Sequence, residues 1–133
     1  MRGKRWLAYA LIGVVATLGL GACGGNGEEK QEVTGLLAAA DVGGVPRFEP
    51  TTVYVRFGQE AAFTYQNKDE KREHSFTLPF IFVDKDNFLS VDVPPGQSRT
   101  IRFPVRERPR DGFLSFYCRF HQGEGMQGKI RFV

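Results

Sequence analysis

The chain is poor in residues that do chemistry. Among 133 residues there are two Cys, two His and, beyond Met1, one Met. That scarcity leaves no room for a His-rich metal tract or a Cys-rich disulfide scaffold. A true basic excess is also missing. Lys and Arg number 18 against 15 Asp and Glu, but Arg2, Lys4 and Arg5 account for the whole difference, and residues 1–22 contain no acid. The remainder is balanced, which argues against a nucleic-acid binder. Helical periodicity is absent downstream of residue 45, and no apolar run reaches the roughly 20 residues that span a bilayer. Gly (16) and Pro (7) are too few for a disordered chain and normal for a turn-rich one, and 13% aromatic residues supply mass for a core.

What is present begins with an address. Three positive charges in residues 1–5 precede an apolar stretch over residues 6–20, then Leu20-Gly21-Ala22-Cys23 and a Gly-rich segment. A basic segment, a short apolar segment and small residues form a secretory signal. The glycine-broken run is too short for a permanent transmembrane helix. The tetrapeptide resembles the lipobox of bacterial lipoproteins, whose Cys is acylated and becomes the first mature residue. The reading is a signal peptide over 1–22, lipidation at Cys23, and a lipid-anchored flexible tether over 23–45. Export to a periplasmic or other extracytoplasmic membrane face follows. With Cys23 acylated, Cys118 is a lone thiol in an oxidising compartment, where a thiol needs a reason to persist.

From residue 46 to 133 the pattern is β. Val53, Val55 and Phe57 alternate with Thr52, Tyr54 and Arg56; Phe63 and Tyr65 alternate with Ala62, Thr64 and Gln66. Further short strands are expected over 74–78, 88–93, 99–105, 113–118 and 128–133. They are separated by a charged loop (67–73), an irregular stretch (79–87), Pro94-Pro95-Gly96-Gln97 and a charged turn around Pro109. Leu36 to Ala40 is left open between a helical turn and an extra strand. Seven to eight short strands in one domain predict an all-β Greek-key sandwich.

The scarce residues then fall together. Cys118, His121 and Met126 lie within nine residues, spaced C-x2-H-x4-M, with Gly123 and Gly125 between them. Thiolate, imidazole and thioether are soft or borderline ligands suited to copper. The remaining histidine, His74, opens a strand far upstream. Two His and one Cys with a weak axial Met form the blue-copper geometry. Each residue alone is more simply a packing or surface residue, but together they use every His and the one non-initiator Met.

The segment Gly112 to Ile130 resembles the C-terminal copper loop of plastocyanin and related cupredoxins, through Phe116-Tyr117-Cys118, His121-Gln122-Gly123, Gly125-Met126 and Gly128-Lys129. Asn67-Lys68-Asp69 followed by His74-Ser75-Phe76 resembles the segment that bears the first His in that family. Pro94-Pro95-Gly96 with Ile101 and Phe103 resembles the strand pair between them. The resemblance implies an eight-stranded sandwich over 46–133, one copper ion, His74, Cys118 and His121 as equatorial ligands, and Met126 as axial ligand. Two departures stand out: Phe120 where the family usually has Pro, and Ser75 where it usually has Asn.

The expected protein is a membrane-tethered, monomeric electron carrier cycling one copper between Cu(II) and Cu(I), and not an enzyme. His121 is the expected electron port, Phe120 its apolar docking patch, and Tyr117 a candidate second route. A c-type cytochrome or a terminal oxidase is the expected redox partner. The alternative is a protein that stores or delivers copper to an oxidase. A dinuclear copper centre needs a second loop Cys, and a multicopper oxidase needs more His; the chain has neither.

Overall fold

The computed structural model describes residues 32–79 and 88–133. The expected signal peptide, Cys23 and the tether up to residue 31 lie outside the described residues, as does most of the irregular stretch over 79–87.

Nine strands form two sheets: β1 (Leu36–Val42), β2 (Val45–Glu49), β3 (Thr52–Val55), β4 (Glu60–Asn67), β5 (His74–Leu78), β6 (Leu89–Val93), β7 (Ser98–Pro104), β8 (Phe113–Tyr117) and β9 (Gln127–Phe132). One sheet runs β2-β1-β4-β7 and the other β3-β9-β8-β5-β6. β1 pairs with β4, and β3 with β9, in parallel; the remaining pairs are antiparallel. The non-sequential strand order is the crossing expected of a Greek key.

The strands predicted by alternation appear within one or two residues of their expected bounds. β4 follows the alternation closely, with Ala61, Phe63, Tyr65 and Asn67 buried and Glu60, Ala62 and Thr64 exposed. Phe57 breaks the expected pattern: β3 stops at Val55, and Phe57 is exposed beneath the Arg108 guanidinium, which stacks 4.8 Å from its ring centroid.

The boundary at residue 46 is corrected by two strands. β1 and β2 form a hairpin through Gly43 and Gly44, both with positive φ. The sandwich therefore begins ten residues earlier than expected, and the tether expected over 23–45 overlaps it. β1 lies between β2 and β4, and Leu37, Ala38 and Ala39 are buried in succession. A strand covered on both faces loses its alternation. Its small Ala side chains give no β signal, and its parallel register against β4 comes from residues far along the chain.

The core is aromatic. Phe116 packs 4.8 Å from Phe48 and 4.9 Å from Phe76, and Phe76 lies 5.5 Å from Phe63. Tyr65 is fully buried; its hydroxyl donates to the Ser75 carbonyl at 3.4 Å, and burial holds its pKa well above the usual phenol range. Strand alternation carries this core toward one end of the sandwich. Two residues before Phe76 on the same strand is His74, and two residues after Phe116 is Cys118.

Gly128 belongs to this core rather than to the loop. A Cβ at residue 128 would meet Phe116 Cζ at 2.3 Å. The Phe116 ring is packed between Phe48 and Phe76, so a shift of the ring displaces other core rings. Gly128→Ala is expected to lower unfolding stability by about 1–3 kcal/mol, the usual cost of overpacking. Chemical denaturation checks this; an unchanged midpoint and slope would mean that the ring can shift freely.

Candidate metal centre

His74 starts β5, and Cys118 directly follows β8. These strands are neighbours in one sheet, paired through Thr77 and Tyr117. After Cys118 the chain turns through His121 into a 3-10 turn over Gln122–Glu124 and returns at Met126. The loop is closed by its own backbone. The Cys118 N–H donates to the Met126 carbonyl at 3.0 Å, and the Met126 N–H donates to the His121 carbonyl at 3.3 Å. Gly125 takes φ +76, the left-handed conformation that L side chains avoid, and so reverses the chain. Gly123 has no positive φ, so of the two glycines between His121 and Met126 it is Gly125 that makes the turn.

The ligand atoms converge. Cys118 Sγ lies 3.8 Å from His74 Nδ1 and 3.4 Å from His121 Nδ1, and one ligand atom from each of the three residues falls within 4.8 Å of the others. Three ligands at metal bonds of about 2.0–2.3 Å stand about 3.5–4 Å apart when they surround one ion. The two sulfur–nitrogen separations fit that. His74 and Cys118 are fully buried, Met126 is 1% exposed, and His121 is 8% exposed. A thiol, two imidazole nitrogens and a buried thioether suit one soft or borderline ion. The four residues expected as ligands are therefore at one end of the sandwich, with the two rings 4.6 Å apart.

Ser75 supplies the tie between the two ligand segments. Its N–H donates to Cys118 Sγ at 3.3 Å, and its hydroxyl accepts the Arg119 N–H at 2.8 Å. That hydroxyl also lies 3.1 Å from Thr77 Oγ1, which in turn meets Ser90 Oγ at 2.9 Å. The departure from Asn thus leaves the link intact, made by a backbone N–H and a hydroxyl.

Behind His74 is a group the sequence did not single out. Asp69, 6% exposed, sets Oδ2 3.0 Å from His74 Nε2. The surrounding turn aims it: Asp69 Oδ1 accepts the N–H groups of Lys71 and Arg72, and the Arg72 guanidinium reaches Oδ2 at 2.9 Å. Asn67 anchors the turn, accepting the Asp69 N–H and donating to the carbonyls of Arg72 and Val93. A carboxylate on one ring nitrogen fixes the tautomer and turns the other nitrogen toward the ion. Burial alone would raise the Asp69 pKa, but the Lys71 N–H, His74 and Arg72 hold it well below the carboxylate range. Every residue from Lys68 to Glu73 is charged, so nothing in the sequence marks which acid turns inward.

Burial opposes ionisation of Cys118, yet His74, the Ser75 N–H, His121 and the Phe120 N–H draw its pKa from 9.0 down to about 6. Burial also works against a charged His74, but Cys118 and Asp69 hold its pKa above the ordinary value. The pair is primed to present thiolate at neutral pH, the form that binds metal.

Phe120, beside His121, is 42% exposed. The Arg119 guanidinium stacks 4.6 Å from its ring centroid and pairs with Asp92. Tyr117 is half-buried in β8, opposite Thr77 and Gln127.

No protein-family model matches the chain, and no curated protein matches it in sequence. Solved structures do match. The dithionite-reduced auracyanin of the photosynthetic bacterium Roseiflexus castenholzii is 17% identical with a TM-score of 0.58, over 77% of this chain and 99% of that one. Auracyanin A of Chloroflexus aurantiacus, described as a "blue" copper protein, is 16% identical with a TM-score of 0.56, over 74% and 98%. An oxidised amicyanin variant is 15% identical with a TM-score of 0.54, over 74% and 81%. The chain has the cupredoxin fold.

Titration of the metal-free protein checks the primed thiol. The ultraviolet thiolate absorbance of folded protein is expected to rise with a midpoint near pH 6, against 9.0 once the chain is unfolded. The sign is that of a depressed pKa: Cys118 contributes stability above its unfolded value, and that contribution is lost as pH falls through about 6. A folded midpoint at the unfolded value overturns the assignment.

Proposed function

We propose that the protein is a mononuclear blue-copper electron carrier anchored to a bacterial membrane. The observation that supports this best is the convergence of His74, Cys118 and His121 beside buried Met126, with the thiol already drawn toward thiolate. His74, Cys118 and His121 are the residues that would hold the ion closely, with Met126 as a weak fourth ligand. Copper bound there supplies a one-electron change between Cu(II) and Cu(I). Zinc would leave the thioether without a purpose.

The chain's own part is to keep the ligands still and dry. One ligand stands on a strand backed by a carboxylate, and three stand on a loop closed by backbone hydrogen bonds. Little has to move when the charge at the site changes, which favours electron exchange over metal release. His121 is the sole close ligand with any exposed surface, so its outer edge is the shortest way out. Phe120 beside it provides apolar contact for a transient encounter, which needs little area. A c-type cytochrome or a terminal oxidase is the proposed partner, and Tyr117 offers a longer second route.

The copper-loaded protein is expected to show an intense thiolate-to-copper band in the visible. Cys118→Ser abolishes it, and Met126→Leu keeps it with a raised potential. Phe120→Asp leaves band and potential nearly unchanged while slowing electron exchange with the partner. A band that survives loss of Cys118 rejects the site. Transfer of copper to an apo-oxidase domain, with slow or irreversible voltammetry, favours delivery over electron carriage.

Anchoring rests on Leu20-Gly21-Ala22-Cys23 alone. Protein from the native host is expected in the membrane fraction with Cys23 acylated. Mass spectrometry that finds an unmodified Cys23 removes the anchor.

A further inference from the structure

Arg72 stands apart from the four ligands yet touches the supports of two of them. Its Nε lies 2.9 Å from Asp69 Oδ2, the atom that faces His74 Nε2. Its terminal nitrogens lie 2.7 Å from Asp41 Oδ2 on β1 and 3.8 Å from Glu124 Oε2 in the ligand loop. A planar guanidinium can serve three carboxylates at once, as a lysine ammonium on its single flexible stem cannot. Arg72 sits at 31% exposure and Asp69 at 6%, so the innermost of these contacts is shielded from solvent and salt.

We propose that Arg72 is a positioning residue that sets the electron affinity of the site. It neutralises and orients Asp69 behind His74, and it ties the ligand loop to the same point through Glu124. The inference deepens the electron-carrier reading and rests on it. The physical reason is that two opposite charges in series act on one ring. Negative charge on Asp69 pulls the His74 Nε2–H proton outward, enriches the imidazole in electron density and favours the more positive, oxidised ion. The guanidinium withdraws part of that effect. Asp41, reaching Arg72 from β1, holds the guanidinium from outside, where the Lys68 N–H already donates to the Ala39 carbonyl.

The arrangement predicts shifts of opposite sign. In the copper-loaded protein, Asp69→Asn removes the negative charge and raises the reduction potential. Arg72→Gln removes the positive charge and lowers it. Each change moves the oxidised-to-reduced equilibrium on the order of tenfold, the scale of one charge acting through partly buried protein. Arg72→Lys, which keeps the charge, restores most of the potential. A merely structural clasp gives shifts of one sign, or none, because either loss would loosen the same turn.

A second measurement needs no metal. In the metal-free protein, hydrogen exchange at His74 Nε2 and at the amides of residues 122–125 is expected to speed up at least several-fold in Arg72→Gln. Unchanged exchange together with potential shifts of the same sign overturns the proposal. Should the wild-type protein show no visible copper band, the electron-carrier reading fails on its own, and the exchange measurement still decides whether Arg72 holds the two ligand supports.

Discussion

Ser75 holds together two parts of the chain that sequence alone keeps far apart. Its N–H reaches the Cys118 sulfur at 3.3 Å, and its hydroxyl accepts the Arg119 N–H at 2.8 Å, across 43 and 44 residues respectively. The crossing joins the His74 segment to the Cys118 segment beside the ligands themselves. Besides it, the start of β5 and the end of β8 share the Thr77–Tyr117 pairing and the packing of Phe76 on Phe116, three and two residues along β5 from His74 respectively. Buried polar groups are costly unless partnered, and two of the partners of Ser75, the Cys118 sulfur and the Arg119 N–H, belong to the other ligand segment. The same bonds that satisfy Ser75 therefore specify the site.

The aromatic core and the metal centre are one continuous structure. Alternation along β5 puts His74 in phase with buried Phe76, and alternation along β8 puts Cys118 in phase with buried Phe116. The two rings lie 4.9 Å apart. Close packing there limits how far either ligand strand can slide, since interiors of native density resist changes of even one methylene. Gly128 extends the constraint to β9: without a side chain it admits Phe116 to the strand that carries the chain away from Met126. Rigidity in the sandwich becomes rigidity in the ligand set through these shared residues.

How much of this was legible follows from which forces act locally. Strand β4 could be read to the residue because a half-buried strand writes its exposure as alternation, while β5, buried at every position, was bounded by the charged run before His74 and by Pro79. The ligand set was legible because scarce residues at fixed spacing leave few alternatives. Of the β1–β2 hairpin only Leu36 to Ala40 was legible, and there a strand was one of two options. Leu37-Ala38-Ala39 is covered on both faces, and its neighbour β4 is chosen by long-range pairing. Asp69 and Arg72 were hidden for a different reason. In a run of six charged residues, composition predicts a solvated loop; only the Asn67-anchored turn determines that one carboxylate faces inward and one guanidinium bridges outward. The hydroxyl tie of Ser75 was visible only as an option, since a serine can make or omit such a bond without any change in sequence pattern.

The two histidines are chemically alike and electrostatically opposite, and that asymmetry gives the site a direction. His74 is fully buried and has a carboxylate at its far nitrogen, itself held by a guanidinium, so its outer side leads into fixed charge. His121 retains 8% exposure, borders Phe120 and, among the described residues, has no carboxylate hydrogen bond. A charge-paired ring is suited to fixing geometry and electron affinity, because its surroundings resist reorganisation. A ring at an apolar edge is suited to exchange, because a partner can displace water there without breaking an ion pair. Asp92 strengthens the division by engaging the Arg119 guanidinium on the Phe120 side, which leaves the ring face beside His121 flanked by a neutralised pair. The apolar Phe120 edge thus adjoins His121, while the Asp69 carboxylate and the Arg72 guanidinium adjoin His74.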